Sequence, residues 1–187
     1  MVRNRTWMAL LALTLTPLVA SCTTAPTPTS PASSIASPTS SPSNSPSRTT
    51  SPADRDLQNA KQAVVRLWAT LDRLTNNPRL SLQDLDNVAT GDALTMFQEN
   101  LGQYRADQWV GSGSYVVKDL QSVSSGVDAE GHLAWTVTAC VDGSKTTLVD
   151  QHGKSVQGPP FRIRHKATVI SRASHLYVST DTAVGTC

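Results

Sequence analysis

Hydrophobic positions fall into distinct regimes along the chain. From Trp7 to Ala20 they run almost without interruption, and from Thr23 to Pro52 they nearly vanish. Leu57, Ala60, Val64, Leu67, Trp68, Leu71 and Leu74 then recur at intervals of three and four, which lays one apolar stripe along a helix over residues 53–74. Asp54 and Asp56 suit its first turn, where the helix dipole favours anions, and Asn76-Asn77-Pro78 stops it. Ser81 can cap a short second helix over residues 81–84. Ala93, Leu94, Met96, Phe97 and Leu101 mark the buried face of a third over residues 90–104, with Gly102 set to fray or end it. Gly111-Ser112-Gly113 reads as a flexible connector, and beyond it the period changes to two. That alternation predicts strands over residues 115–123, 132–141, 146–149, 161–171 and 175–180, separated by turns rich in Gly, Asp and Pro. Helices followed by a meander of strands imply an α+β fold, with N-terminal helices packed on an antiparallel sheet.

The first apolar run is too short to be a permanent span. Its 14 residues cover about 21 Å as a helix, against a bilayer core of roughly 30 Å, and Pro17 weakens it further. Arg3 and Arg5 before it and small residues after it make residues 1–21 an export signal. Val19-Ala20-Ser21-Cys22 resembles the bacterial lipobox. That resemblance implies cleavage before Cys22 and attachment of lipid to its thiol, which anchors the protein to the outer face of the cell membrane. Each buried CH₂ of such an anchor adds about 0.8 kcal/mol. The competing reading is an ordinary secreted protein in which Cys22 is incidental.

Residues 22–52 then form a tether. Of the 30 residues from Thr23 to Pro52, 24 are Ser, Thr or Pro, with a single charge at Arg48. Such a segment buries too little surface to offset its ordering entropy, so it is expected to be disordered and extended. It serves as a spacer, glycosylated or bare.

The remaining residues 53–187 have the size of one domain. Their element order and lengths resemble the nuclear transport factor 2-like, or ketosteroid-isomerase-like, cone fold, in which a long helix and two shorter ones cover a strongly curved sheet. The stretch Val137-Thr138-Ala139-Cys140-Val141-Asp142, then Val149-Asp150, Gly153-Lys154 and a terminal Cys187, is similar to small actinobacterial envelope lipoproteins of this class. The resemblance implies a module that binds or assembles at the envelope without catalysis. It extends to prophage-encoded surface proteins that exclude other phages. The alternative it implies is a small-ligand enzyme of the SnoaL or ketosteroid-isomerase type, working in a pocket of the cone.

Charge narrows the partners. Residues 53–187 carry 13 Lys and Arg against 14 Asp and Glu, so the domain lacks the basic footprint of a nucleic-acid binder. The expected contacts are the membrane, through lipid on Cys22, and an envelope protein or a small apolar ligand. Cys140 and Cys187 are the cysteine pair left outside the cytoplasm and are read as one disulfide, worth about 3–4 kcal/mol in the chain-entropy model. A redox pair is the alternative, but neither a C-x-x-C spacing nor an adjacent basic residue supports it.

Candidate chemistry is sparse. His132, His152 and His175 fall at element ends, whereas His165 shares a strand face with Phe161, Ile163 and Ala167 and could point into the cone. His165, Trp109 in the helix-to-strand connection and Asp119 are the candidate pocket residues; Asp107 is a weaker one. The histidines never fall at metal-ligand spacing, Asp84-Leu85-Asp86-Asn87 lacks the rest of a calcium loop, and no nucleophile elbow, phosphate loop or dinucleotide fingerprint occurs. No catalytic set, metal or cofactor is therefore assigned. Arg162, Arg164 and Lys166 alternate along one strand face, either as a stripe for an anionic partner or as a solvated outer face.

Overall fold

The computed structural model describes residues 51–156, 158 and 161–187. The signal segment 1–21, the lipidation residue Cys22 and the tether up to residue 50 lie outside the described residues.

Helix α1 (Pro52–Asn76) opens on a reciprocal cap. Ser51 Oγ accepts from the Asp54 N–H at 3.1 Å, the Asp54 carboxylate accepts from the Ser51 N–H at 3.3 Å, and Pro52 occupies the first turn. Its stripe of Ala60, Ala63, Val64, Leu67, Trp68, Leu71 and Leu74 is buried. Burying each large side chain contributes about 1.5–3 kcal/mol, so packing more than propensity holds this helix. A 3-10 helix (Leu82–Asn87), capped by Ser81 Oγ on the Gln83 N–H, leads to α2 (Gly91–Ala106). Gly102 does not end α2. Its Cα faces open space, so the glycine costs only backbone entropy, and the helix runs on until Asp107 N–H bonds Gln103 O at 2.9 Å.

The strands are β1 (Val110–Ser112), β2 (Val116–Val127), β3 (Leu133–Asp142), β4 (Thr147–Val149), β5 (Arg162–Arg172) and β6 (His175–Thr186). Four of them form an antiparallel sheet in the order β2-β3-β5-β6, while β1 and β4 pair as a separate two-stranded ribbon. The expected connector at Gly111-Ser112-Gly113 is thus partly strand, too short for periodicity to disclose. β2 and β6 also run beyond their expected ends, to Val127 and Thr186. Each carries or meets two register shifts, and a bulge reverses which side chains face inward, so strict alternation stops before the strand does.

One face of the sheet packs on α1, with Trp135, Val137, Ala139 and Val141 of β3, Ala167 and Val169 of β5 and Val178 of β6 in a single core with the helical stripe. The fold is α+β, with the helices preceding the sheet they cover. β5 turns into β6 through Ala173 and Ser174, both left-handed at φ 50° and 64°. Two such residues match the twist of a tight hairpin, though neither is the Gly or Asn that adopts it cheaply. The outer edge of β6 is capped by residues 88–90, where Thr90 N–H bonds Val178 O at 2.9 Å and Val178 N–H bonds Val88 O at 3.0 Å. Among the described residues, β2 has no strand on its other edge.

On the opposite sheet face, a disulfide joins Cys140 of β3 to Cys187 and ties the end of the chain across β5. Beside it, Asp142 meets Lys118 Nζ at 3.3 Å and Arg162 Nε at 3.1 Å. Hydrogen bonds from Ser144, then Lys118 and the charge of Arg162, hold its carboxyl well below the usual carboxylate range. The alternating stripe therefore contributes Arg162 to an internal ion pair.

Candidate functional site

A cavity of about 150 Å³ opens where the last turns of α1 meet the β1–β4 ribbon and the start of β2. Two polar residues of α1 build this corner. Asp72 accepts the Tyr115 N–H on both oxygens, at 3.0 and 3.1 Å, and Asn76 Nδ2 donates to Gly113 O at 2.8 Å. Glycine is required at two points of the wall. Gly113 has φ 85° and lies so close to Lys145 O that a Cβ would collide with it, and a Cβ on Gly111 would come within 2.6 Å of Thr75. Opposite, Ser112 Oγ and Thr147 Oγ1 share a hydrogen bond of 2.7 Å across the ribbon.

Tyr104, Tyr115 and Phe161 supply the aromatic part of the lining, the last two with ring centroids 6.0 Å apart. Among the described residues, no Lys, Arg or His lines the cavity. Burial raises the Asp72 carboxyl above its ordinary value, opposed by the Tyr115 N–H. Burial also pushes the Tyr115 phenol up to about 12, with Tyr104 and Asp72 adding to the effect. Both shifts express a partly desolvated, electron-rich corner.

A second polar centre lies under α1. His165 Nδ1 is 2.8 Å from Asp181 Oδ1, and the imidazole meets the Trp68 ring edge-to-face at 4.8 Å. Trp68 also contacts Phe97 at 6.1 Å and Tyr115 at 5.0 Å, so aromatic rings link this centre to the cavity wall. The Asp181 side chain is 0% exposed and that of His165 14%. Asp181 Oδ2 and Trp68 Nε1 are buried without a hydrogen-bond partner among the described residues. A carboxylate orienting an imidazole is the arrangement of a general base, but this one is closed beneath a tryptophan.

The three residues singled out from the sequence do not converge. His165 faces inward, held by Asp181 of the neighbouring strand. Trp109 is half-buried and packs on Tyr104 at 5.6 Å, behind the cavity, and Asp119 is exposed at a β2 bulge with φ 51°. None of the three lines the cavity, whereas Asp72, which does, lies beside the apolar stripe of α1. Its polar identity on a helix flank carries no signal of the loop it clamps. Asp181 was hidden in the same way, because it meets His165 diagonally across the β5–β6 pairing, in which Asp181 faces Ala167 and His165 faces Ala183.

At the β2–β3 turn, Asp128, Glu130 and His132 bring potential ligand atoms within 4.8 Å of one another. Asp128 is already occupied: its Oδ1 accepts the Glu130 and His132 N–H groups and its Oδ2 contacts His132 Nδ1 at 2.9 Å. The cluster is a turn closed on itself.

A larger groove of about 590 Å³ lies at the other end of α1, between its first turns and the β2–β3 hairpin. The hairpin overshoots the helix there, leaving Val127 67% and Leu133 56% exposed beside Ala53, Leu57 and Trp135. Among the described residues no helix is long and apolar enough to cross a membrane.

No protein-family model matches this chain, and no curated protein matches it. Among solved structures it is similar to the intermembrane space region of the chloroplast protein ARC6, at 15% identity over 70% of this chain and 98% of that one, with a TM-score of 0.54. A periplasmic fragment of TraM matches at 15% identity over 71% and 97% of the two chains, with a TM-score of 0.42. A de novo designed β-sheet protein matches at 17% identity over 70% and 91%, with a TM-score of 0.33. At this identity the likeness to the ARC6 region is one of fold alone.

Proposed function

We propose that the chain is a lipid-anchored module of the cell envelope, held on the extracytoplasmic side by Cys22 and acting by binding or assembly rather than catalysis. The supporting observation is the uncovered apolar surface of Val127 and Leu133 at the start of α1, the point where the tether joins the domain. Exposed apolar side chains beside a groove give a partner surface to bury. The β2 edge beside it, which pairs with no further strand among the described residues, can accept an extended segment of an envelope protein by strand addition. The sheet is read as the cone of the nuclear transport factor 2-like class, because the register shifts in β2 and β6 sharpen the local twist at both edges.

Two experiments test this reading. In cells fed a clickable fatty acid, Cys22→Ser should lose both the label and membrane retention; unchanged labelling contradicts the anchor. The double variant Val127→Asp, Leu133→Asp should abolish envelope cross-links made by the wild type while leaving the melting temperature within a few degrees. Retained cross-links exclude this surface.

The alternative, a small-ligand enzyme, draws on the His165–Asp181 hydrogen bond. It requires a folded His165→Ala protein that loses turnover, whereas the binding reading expects that variant to lose stability.

A further inference from the structure

We propose that the cavity at the C-terminal end of α1 binds a small organic cation, an alkylammonium group, seated against Asp72 and the aromatic residues Tyr104, Tyr115 and Phe161. This goes beyond the envelope-contact reading and does not rest on it, since cavity and groove lie at opposite ends of α1.

The lining selects the ligand by exclusion and by fit. An anion finds no positive side chain there among the described residues. A neutral apolar ligand would cover the Asp72 carboxylate further, and a partly buried carboxylate without a counter-charge opposes that. Among the described residues no Lys, Arg or His forms an ion pair with Asp72, whose protein hydrogen-bond donor is the Tyr115 N–H. A hard divalent ion needs several oxygen ligands in a shell, and the lining supplies a single carboxylate.

A soft, weakly hydrated cation satisfies every term. Its charge meets the carboxylate, and its alkyl groups meet aromatic side chains whose faces attract cations. Two tyrosines add phenol oxygens to the same electron-rich corner. A volume of about 150 Å³ matches a ligand of benzene's size, such as a tetramethylammonium head.

The test compares tetramethylammonium chloride with tert-butanol, an uncharged molecule of nearly the same shape, by amide NMR of the full-length chain in detergent micelles. The expected result is a saturable shift of the Tyr115 amide and of its neighbours Ser112 and Thr147, with tert-butanol at least about tenfold weaker. Sodium chloride at matched ionic strength should leave these amides in place. Asp72→Asn, which keeps an acceptor for the Tyr115 N–H, should weaken tetramethylammonium about tenfold, and Phe161→Leu should weaken it while leaving the remaining amides unmoved. Equal affinity for tert-butanol overturns the proposal, as does a folded spectrum in which the cavity amides never shift. Should Asp72→Asn fail to fold, the comparison of the two ligands on the wild type decides alone.

Discussion

Two carboxylates, Asp72 on α1 and Asp181 in the sheet beneath it, live in opposite circumstances. Asp181 is sealed: its side chain is fully covered, its partner His165 comes from the adjacent strand, and Trp68 closes the space above. Asp72 is open: it faces a cavity, spends its hydrogen bonds on the Tyr115 N–H, and forms no ion pair among the described residues. The first arrangement suits a structural pair, because separating it would strand a buried charge. The second suits a site, because its missing counter-charge is what a ligand would bring. An imidazole–carboxylate pair draws the eye as chemistry, yet here the unadorned aspartate is better placed to meet a ligand.

Variants and conditions can break or sharpen that contrast. Reducing the Cys140–Cys187 bond, which closes a separation of 47 residues, should cost about 4 kcal/mol in the chain-entropy model without touching either carboxylate. Urea unfolding with and without reductant measures it and sets the scale for the rest. Asp181→Ala should cost about 3 kcal/mol by leaving His165 unpaired in the core, read as a lower urea midpoint at unchanged m-value. A loss under about 0.5 kcal/mol would show that the sealed pair is dispensable.

Acid should act through a third carboxylate. Asp142 is held below its ordinary value when folded, so its contribution is complete above the unfolded value near 4 and fades as pH falls below it. Midpoints measured from pH 5 to pH 2 should drop less in Asp142→Asn than in the wild type.

Asp72→Asn carries the smallest and most diagnostic effect. Burial raises the Asp72 carboxyl, so ionising it costs stability as pH rises through its folded value. Removing the charge while keeping an acceptor should stabilise the domain at pH 7, by less than about 1 kcal/mol once solvent screening is allowed for. A gain in melting temperature together with a loss of cation binding is the signature of a residue kept for a ligand.

Much of the framework was legible in the sequence. The three-and-four spacing from Leu57 to Leu74 became the buried stripe of α1, because a helix that must cover a sheet can hide only one face. Alternation from Trp135 to Val141 became the inner face of β3 for the same reason. Periodicity failed where burial is not periodic: at the three-residue β1, at the overshooting end of β2 where both sides meet water, and beyond the bulges of β6.

The candidate site was harder to read. His165 could be placed on an inward face from its neighbours, but its partner Asp181 comes from the neighbouring strand, diagonally across the β5–β6 pairing. Asp72 clamps a backbone N–H 43 residues away, a contact with no local spacing to announce it. Polar residues that act through tertiary contacts leave no pattern along one chain.

The most direct test of the contrast is carboxyl-detected NMR of the folded, full-length chain, following Asp72 and Asp181 side by side as tetramethylammonium is added. A saturable shift of the Asp72 carboxyl with Asp181 unmoved is the predicted result. A shift at Asp181, or an Asp72 signal that never responds, would contradict the division into a sealed structural pair and an open cation site.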